Sequence, residues 1–349
     1  MVAFPYHTYL TVIVPAVIGF LITYFSTKFL ISYFYGAGVI GEDHNKAKAI
    51  KLPSAGGVAV AFGLIIGILS YTFGGTFAFP ALVDMQQLLA VALSIMLITF
   101  VGFLDDINVS ARRVMTTDLK DIKKGLKQWQ KPLLTVVGAI PLMAINAGIS
   151  VINLPLIGTI NLGLLYPLFI LPLAVIFVSN AFNLLGGFDG LQPGMAIIAS
   201  FGLLVYTTFF GSYMGALLSA LLFGTLVAFY KFNHYMAKII PGDSLTYCVG
   251  GALVAIMTVG NAEAFGLIIF IPWIVEFFLH LRKGFKVTDL GIRQKNGTFK
   301  APYGKKIYSL THFVMNIRPM KEYEVANWLI GLEAAFVLLA FMMNLAGWL

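Results

Sequence analysis

The chain has 349 residues, of which 59% are hydrophobic and 11% charged, and its formal net charge is +8. That balance excludes a soluble domain, which would have too little polar surface to cover its core. A single cysteine, Cys248, excludes an intrachain disulfide or a cysteine-built metal cage.

The expected class is all-α: a polytopic membrane protein of about ten transmembrane helices, each near the ~20 apolar residues that cross about 30 Å of hydrocarbon. The N-terminal run has no Lys or Arg over residues 1–11 and no cleavage pattern after it, so it reads as a retained helix. Threading the spans alternately puts all 23 Lys and Arg on one side. By the positive-inside rule that side is cytoplasmic and both termini face out. The organisation is then one transmembrane domain over 1–349, with cytoplasmic loops at 36–55, 105–131, 183–193, 231–243 and 282–324. A basic face in this setting suits membrane lipid headgroups and nucleotide phosphates, and nucleic acid is not an expected partner.

Span one, about 10–34, delivers the chain to Gly41-Glu-Asp43-His-Asn45-Lys46 and a Pro-centred entry to span two near 57–73. Span three, about 88–104, ends in Asp105-Asp106. Adjacent helix positions differ by about 100°, so at most one of the pair points straight into a site while the other serves a supporting role. The basic stretch 107–131, with Ile122, Leu126 and Trp129 at helical spacing, reads as a surface helix on the headgroups. Lys131 stands at the start of span four, 132–147, where a long cation reaches back to the membrane edge. An external β-hairpin is expected within 151–162.

Spans five and six flank the stretch Asn180-Ala-Phe-Asn183-Leu-Leu-Gly186-Gly187-Phe-Asp189-Gly190-Leu, in which metal-type oxygen donors sit where an apolar helix runs out. The glycines remove side chains that would keep backbone N–H groups from an anion. Together they suit a phosphate carrying a divalent cation. Span seven ends near 229, and a short basic loop with Lys231 and Lys238 leads to Gly242-Asp243 at the start of span eight, about 245–260. Span nine covers about 265–281, the long basic loop 282–324 follows, and span ten begins near 328. Within apolar runs, Glu276 is about a turn from His280 and Arg282, which a structural ion pair explains, whereas Glu333 has no partner in sequence. Small residues such as Gly202 and Gly215 admit a homodimer, although they serve internal packing equally well.

Asp105, Asp106, Asn183, Asp189 and Asp243 come from three loops, yet threading puts them on one face with nearly every cation. In this pattern the chain resembles the polyprenyl-phosphate N-acetylhexosamine-1-phosphate transferases over about 41–297. Gly41-x-Asp43-x-Asn45-Lys46, the Pro before span two and Lys131 before an apolar run most resemble the dolichyl-phosphate branch that begins N-glycosylation. The resemblance implies transfer of N-acetylglucosamine-1-phosphate from UDP-GlcNAc to a dolichyl or other polyprenyl phosphate, with release of UMP. It implies Mg²⁺, with Mn²⁺ as a substitute, on Asn183 and Asp243. It further implies a diphosphate contact from Lys131, with Lys127 and Lys124 as alternatives in register, and an acidic catalytic pair, Asp105 and Asp106. Gly187 and Asp189 match the uridine pocket, and Asp43, Asn45, Lys46 and Lys238 are counted with the substrate-binding residues. Arg282, Lys286 and Arg293 compete to read the sugar, and Arg293 is the choice.

The bacterial peptidoglycan translocase carries a further Asp at the position of Gly186 and a His-rich motif in its last cytoplasmic loop. This chain has neither, which argues against a muramyl-pentapeptide substrate. The same chemistry on another UDP-hexosamine is one alternative, and a transporter or flippase is another. The latter places its sites near the bilayer midplane, often with internal repeats. Here the acidic groups cluster at one edge, no repeat is evident, and the mostly short loops favour an archaeal plasma membrane over the endoplasmic reticulum.

Overall fold

The computed structural model describes residues 6–109, 113–115, 121–123, 126–127, 129–148, 151–154 and 158–349. In chain order the elements are α1 Tyr6–Ala37, β1 Ile40–Asp43, β2 Ile50–Pro53, α2 Gly57–Phe77, α3 Met85–Val109, β3 Arg113–Met115, β4 Asp121–Lys123, α4 Gln130–Thr135 and α5 Ile140–Ala144. They continue as β5 Val151–Leu154, β6 Gly158–Asn161, α6 Leu171–Leu184, α7 Leu191–Phe209, α8 Tyr213–Asn233, α9 Gly242–Gly260, α10 Glu263–Ile269 and α11 Ile271–Leu281. The last are β7 Ile292–Arg293, β8 Thr298–Lys300, α12 Leu310–Ile317, β9 Met320–Lys321 and α13 Glu322–Leu345.

Among the described residues, eight helices are long and apolar enough to cross a membrane, and α10 with α11, bent by 55°, makes a ninth if the pair is a broken span and not a re-entrant loop. This is a multi-pass membrane bundle. Span four of the ten expected, 132–147, is instead the shorter pair α4 and α5 joined by a 3-10 turn at Val136–Ala139. Over Gln130–Ala144 it reaches roughly 22 Å at 1.5 Å per residue, short of about 30 Å of hydrocarbon.

The bundle is centred on α9, 89% of whose apolar window is buried, against 22% for α1 at the periphery. Two glycines let its neighbours approach. A Cβ on Gly250 would lie 2.5 Å from the Cα of Ser179 in α6, and one on Gly251 would lie 2.8 Å from Ile98 in α3. Small residues at crossings let apolar helices gain van der Waals contact where lipid offers no hydrophobic drive to associate. The N-terminus of α9 is held just as closely, because Gly56 and Gly57 N–H donate to the carbonyls of Ile240 and Pro241, and Ile240 N–H to Pro53.

Small sheets decorate both ends. The hairpin expected within 151–162 is present, with Val151 opposite Asn161 and Leu154 opposite Gly158. β1 pairs with β2, and β8 lies between β7 and β9. The surface helix expected over 107–131 is not formed in its described part. β3 and β4 pair antiparallel there, with Val114 opposite Ile122. These are β-formers set between charged residues, a pattern that fits a strand better than a helix.

Candidate active site

The carboxylates at the end of α3 divide their work. Asp106 accepts from the N–H groups of Asp243 (2.7 Å) and Ser244 (3.0 Å), so it caps the first turn of α9. Gly242, at φ +74°, makes this approach possible, since a Cβ there would stand 2.3 Å from Asp106 Oδ2. Asp105 accepts from Leu126 N–H (2.6 Å) and from Lys131 Nζ (2.8 Å). Lys131 Nζ donates also to Asp243 Oδ2. Thus one carboxylate sets the backbone of the Gly242-Asp243 turn, and the other holds the cation beside it.

A cavity of about 670 Å³ opens next to this turn, and both Asn183 and Asp243 line it. Asn183, in the last turn of α6, makes no side-chain hydrogen bond among the described residues. Two observations bear on a metal here. An ammonium already sits against Asp243, so the position favours positive charge. The donors on the wall are amide and carboxylate oxygens, the hard ligands that Mg²⁺ prefers. The residues present therefore fit the ion.

Beyond Asn183 the chain turns through Gly187, at φ +87°, into Asp189, and both line the same cavity. Asp189 Oδ2 accepts from Lys46 Nζ (2.7 Å) and Ala237 N–H (2.9 Å). Gly190 N–H donates to Asn233 Oδ1, whose amide in turn donates to the carbonyl of Ile239. Lys46 also contacts Asp43 (3.0 Å) and Glu322 (2.6 Å), so one ammonium sits among three carboxylates. Glu322 Oε1 accepts from Asp189 N–H (3.2 Å) and from the amide of Asn45, which donates as well to the carbonyl of Gly187. Burial works against the charge on Lys46, but the hydrogen bonds and charges of Asp189 and Glu322 outweigh it and hold the ammonium above the usual lysine range. Burial pushes the Asp189 carboxyl up, and Lys46 and the Ala237 N–H only partly oppose it. The two directions agree, because one ammonium cannot neutralise three carboxylates.

The last loop supplies the remaining wall through Phe285, Lys286, Thr288, Asp289 and Tyr303. Of the three cations considered from sequence, Lys286 lines this cavity. Arg293 lines a second one of about 490 Å³ together with Asn45 and Lys46. Arg282 is directed toward the carbonyl of Ile307, and Lys238 is exposed and lines neither cavity. Glu276 does pair with His280 (2.8 Å), and Asp289 joins them, whereas Glu333 lies in the bundle core away from the cavity. Sequence reasoning passed over Glu322, Asn233 and Asp289.

The profile of glycosyl transferase family 4 matches residues 88–261. A protein of Saccharolobus solfataricus is 33% identical over 340 residues, covering 96% of this chain and 97% of the relative. The chain belongs to glycosyl transferase family 4. That relative bears the provisional name UDP-N-acetylglucosamine–dolichyl-phosphate N-acetylglucosaminephosphotransferase, as does one of Sulfolobus acidocaldarius at 30% over 338 residues, 95% of each chain. A phospho-N-acetylmuramoyl-pentapeptide-transferase of Limosilactobacillus reuteri is 28% identical over 346 residues, 94% of this chain and 97% of the relative. As a family 4 enzyme, the protein transfers a sugar-1-phosphate to a polyprenyl phosphate, with a UDP-sugar as donor, in a magnesium-dependent family.

Proposed function

We propose that this family 4 enzyme transfers N-acetylglucosamine-1-phosphate from UDP-GlcNAc to dolichyl phosphate on the cytoplasmic leaflet of an archaeal plasma membrane, the first step of lipid-linked oligosaccharide assembly for N-glycosylation. The observation that carries this reading is full-length similarity to two archaeal proteins whose names give that reaction.

Asn183 and Asp243 would hold Mg²⁺, or Mn²⁺ in its place, and a divalent cation held there would supply positive charge against the reacting phosphates. Lys131, held by Asp105, contacts the diphosphate and offsets the charge that builds on the departing UMP. Asp106 fixes the Gly242-Asp243 turn, which makes it a positioning residue. The uridine lies against Gly187 and Asp189, with Lys46, Asp43 and Asn45 holding that loop. A phosphate monoester is largely dianionic at neutral pH, its second pKa being about 6. An oxygen of the lipid phosphate attacks the sugar-linked phosphorus, the bond to UMP breaks, and UMP leaves with the electron pair. No side chain has to remove a proton, so neither Asp105 nor Asp106 is required as a base.

The test is mass spectrometry of the lipid product from detergent-solubilised protein given a panel of UDP-hexosamines with dolichyl and undecaprenyl phosphates. The expected product is dolichyl diphosphate carrying one N-acetylglucosamine. Product from another hexosamine alone would keep the chemistry and replace the pathway.

A further inference from the structure

Asp289 stands on the last-loop wall of the cavity, beside the turn that carries Gly187. A Cβ built on Gly187 would lie 3.8 Å from the Cβ of Asp289. The segment that carries Asp289 is clamped from several sides. Thr311 Oγ1 donates to the Asp289 carbonyl (2.9 Å), and His312 Nε2 bonds the carbonyl of Thr288 (2.8 Å). His280 Nε2 lies 2.9 Å from Asp289 Oδ1 and 2.8 Å from Glu276 Oε1. Because ionised carboxylates only accept, that ring nitrogen carries the hydrogen and shares it between them. Glu276, fully buried, is fixed in turn by Leu310 N–H, which donates to its Oε2 at 2.7 Å.

These contacts engage only one oxygen of Asp289. Oδ2 makes no hydrogen bond among the described residues, and the side chain is 18% exposed at the cavity wall. A carboxylate serving only to anchor the loop would gain from using both oxygens internally. Here one is spent on rigidity and the other is left over. A rigid acceptor of this kind suits neutral hydroxyl donors and repels phosphate.

The geometry points to Asp289 as the acceptor for hydroxyl groups of the UDP-sugar donor, on ribose or hexose, with His280 and Glu276 as its positioning residues. The assignment rests on reading this cavity as the donor pocket.

Asp289→Asn in the full-length protein tests it, because the amide oxygen keeps the bond from His280 while a donor replaces the acceptor at Oδ2. The donor KM is expected to rise about tenfold or more, the scale of one lost hydrogen bond to a charged group. The kcat and the KM for the lipid phosphate should stay within about twofold, a change too small to count as a lost contact. His280→Ala should raise the donor KM in the same way, and the double variant should add little, as for residues acting as one unit. On the ligand side, 2′- and 3′-deoxy-UMP and monodeoxy UDP-hexosamines should reveal one hydroxyl whose loss weakens binding to the intact protein but hardly to Asp289→Asn. A ribose or a hexose position in that series identifies the source. An unchanged donor KM in folded Asp289→Asn, or a series in which no deoxygenation weakens binding to the intact protein, overturns the assignment. Failure of the intact protein to bind UMP at all would instead sink the pocket reading beneath it.

Discussion

Lys131 and Asp243, 112 positions apart in sequence, form an ion pair at the edge of the bundle. The ammonium and a divalent cation both seek that carboxylate, so they share it or compete for it. Lys131→Met should lower the half-saturating Mg²⁺ concentration, since it leaves Asp243 less neutralised. It should also lower kcat by about 10²-fold or more, the usual cost of one charge-stabilising donor. Magnesium titrations of UMP release on both proteins read the two effects separately. A higher Mg²⁺ requirement in the variant would contradict this view of the pair.

Asp106 is expected to matter for stability more than for chemistry. Asp106→Ala strips the acceptor from two N–H groups in the first turn of α9. At about 1–3 kcal/mol for each buried group left unpaired, the cost should be of order 2–6 kcal/mol. Thermal unfolding in detergent should show a clear fall in midpoint, with activity in the surviving folded fraction reduced through Asp243. A variant with wild-type stability and no turnover would make Asp106 a chemical participant instead.

Acid should weaken donor binding through Asp189. Burial holds its carboxyl above the usual range, so it takes up a proton at a higher pH than an ordinary aspartate, whose value is about 3.9. Above its folded pKa the carboxylate pairs with Lys46, and below it that acceptor is lost. The donor KM should therefore rise as pH falls, from a point above the ordinary aspartate range, and Asp189→Asn should flatten that limb. For stability the sign is opposite: between the unfolded and folded values the native state binds the extra proton, so this group favours folding less as pH rises.

Glu322 joins Lys46, Asn45 and the N–H of Asp189, and so ties α13 to two other segments of the site. Glu322→Ala leaves Lys46 with two carboxylates and frees a backbone donor. The expected result is a donor KM raised about tenfold or more, in keeping with one hydrogen bond to a charged group. The KM for the lipid phosphate, measured in the same preparation, should not move.

That Asn183, Asp189 and Asp243 share one cavity was legible because polar groups at the ends of apolar runs are costly in a membrane unless they bind something. The division of labour at Asp105-Asp106 was legible only as a geometric constraint, since helix pitch says the two diverge without saying which one meets α9. Glu322 was hidden by its neighbour. Glu324 accepts from Lys321 N–H (2.7 Å), an ordinary helix start, while Glu322 turns inward on contacts 277 and 133 positions away in the chain. Lys286 and Arg293 look alike in sequence, and only the path of the last loop puts them on different cavities. The stretch holding β3 and β4 was misjudged because three apolar residues at helical spacing are weak beside a local strand pairing.

The most direct measurement is Mg²⁺-dependent UMP release from UDP-GlcNAc and dolichyl phosphate by the intact protein, Asn183→Ala and Asp243→Ala, each shown to be folded. The account expects turnover in the intact protein that requires Mg²⁺ and falls by about 10²-fold or more in both variants, with partial recovery at high Mg²⁺ in Asn183→Ala. Variants that turn over at the intact rate with an unchanged Mg²⁺ requirement would contradict it and move the phosphate-transfer centre away from the junction of α6 and α9.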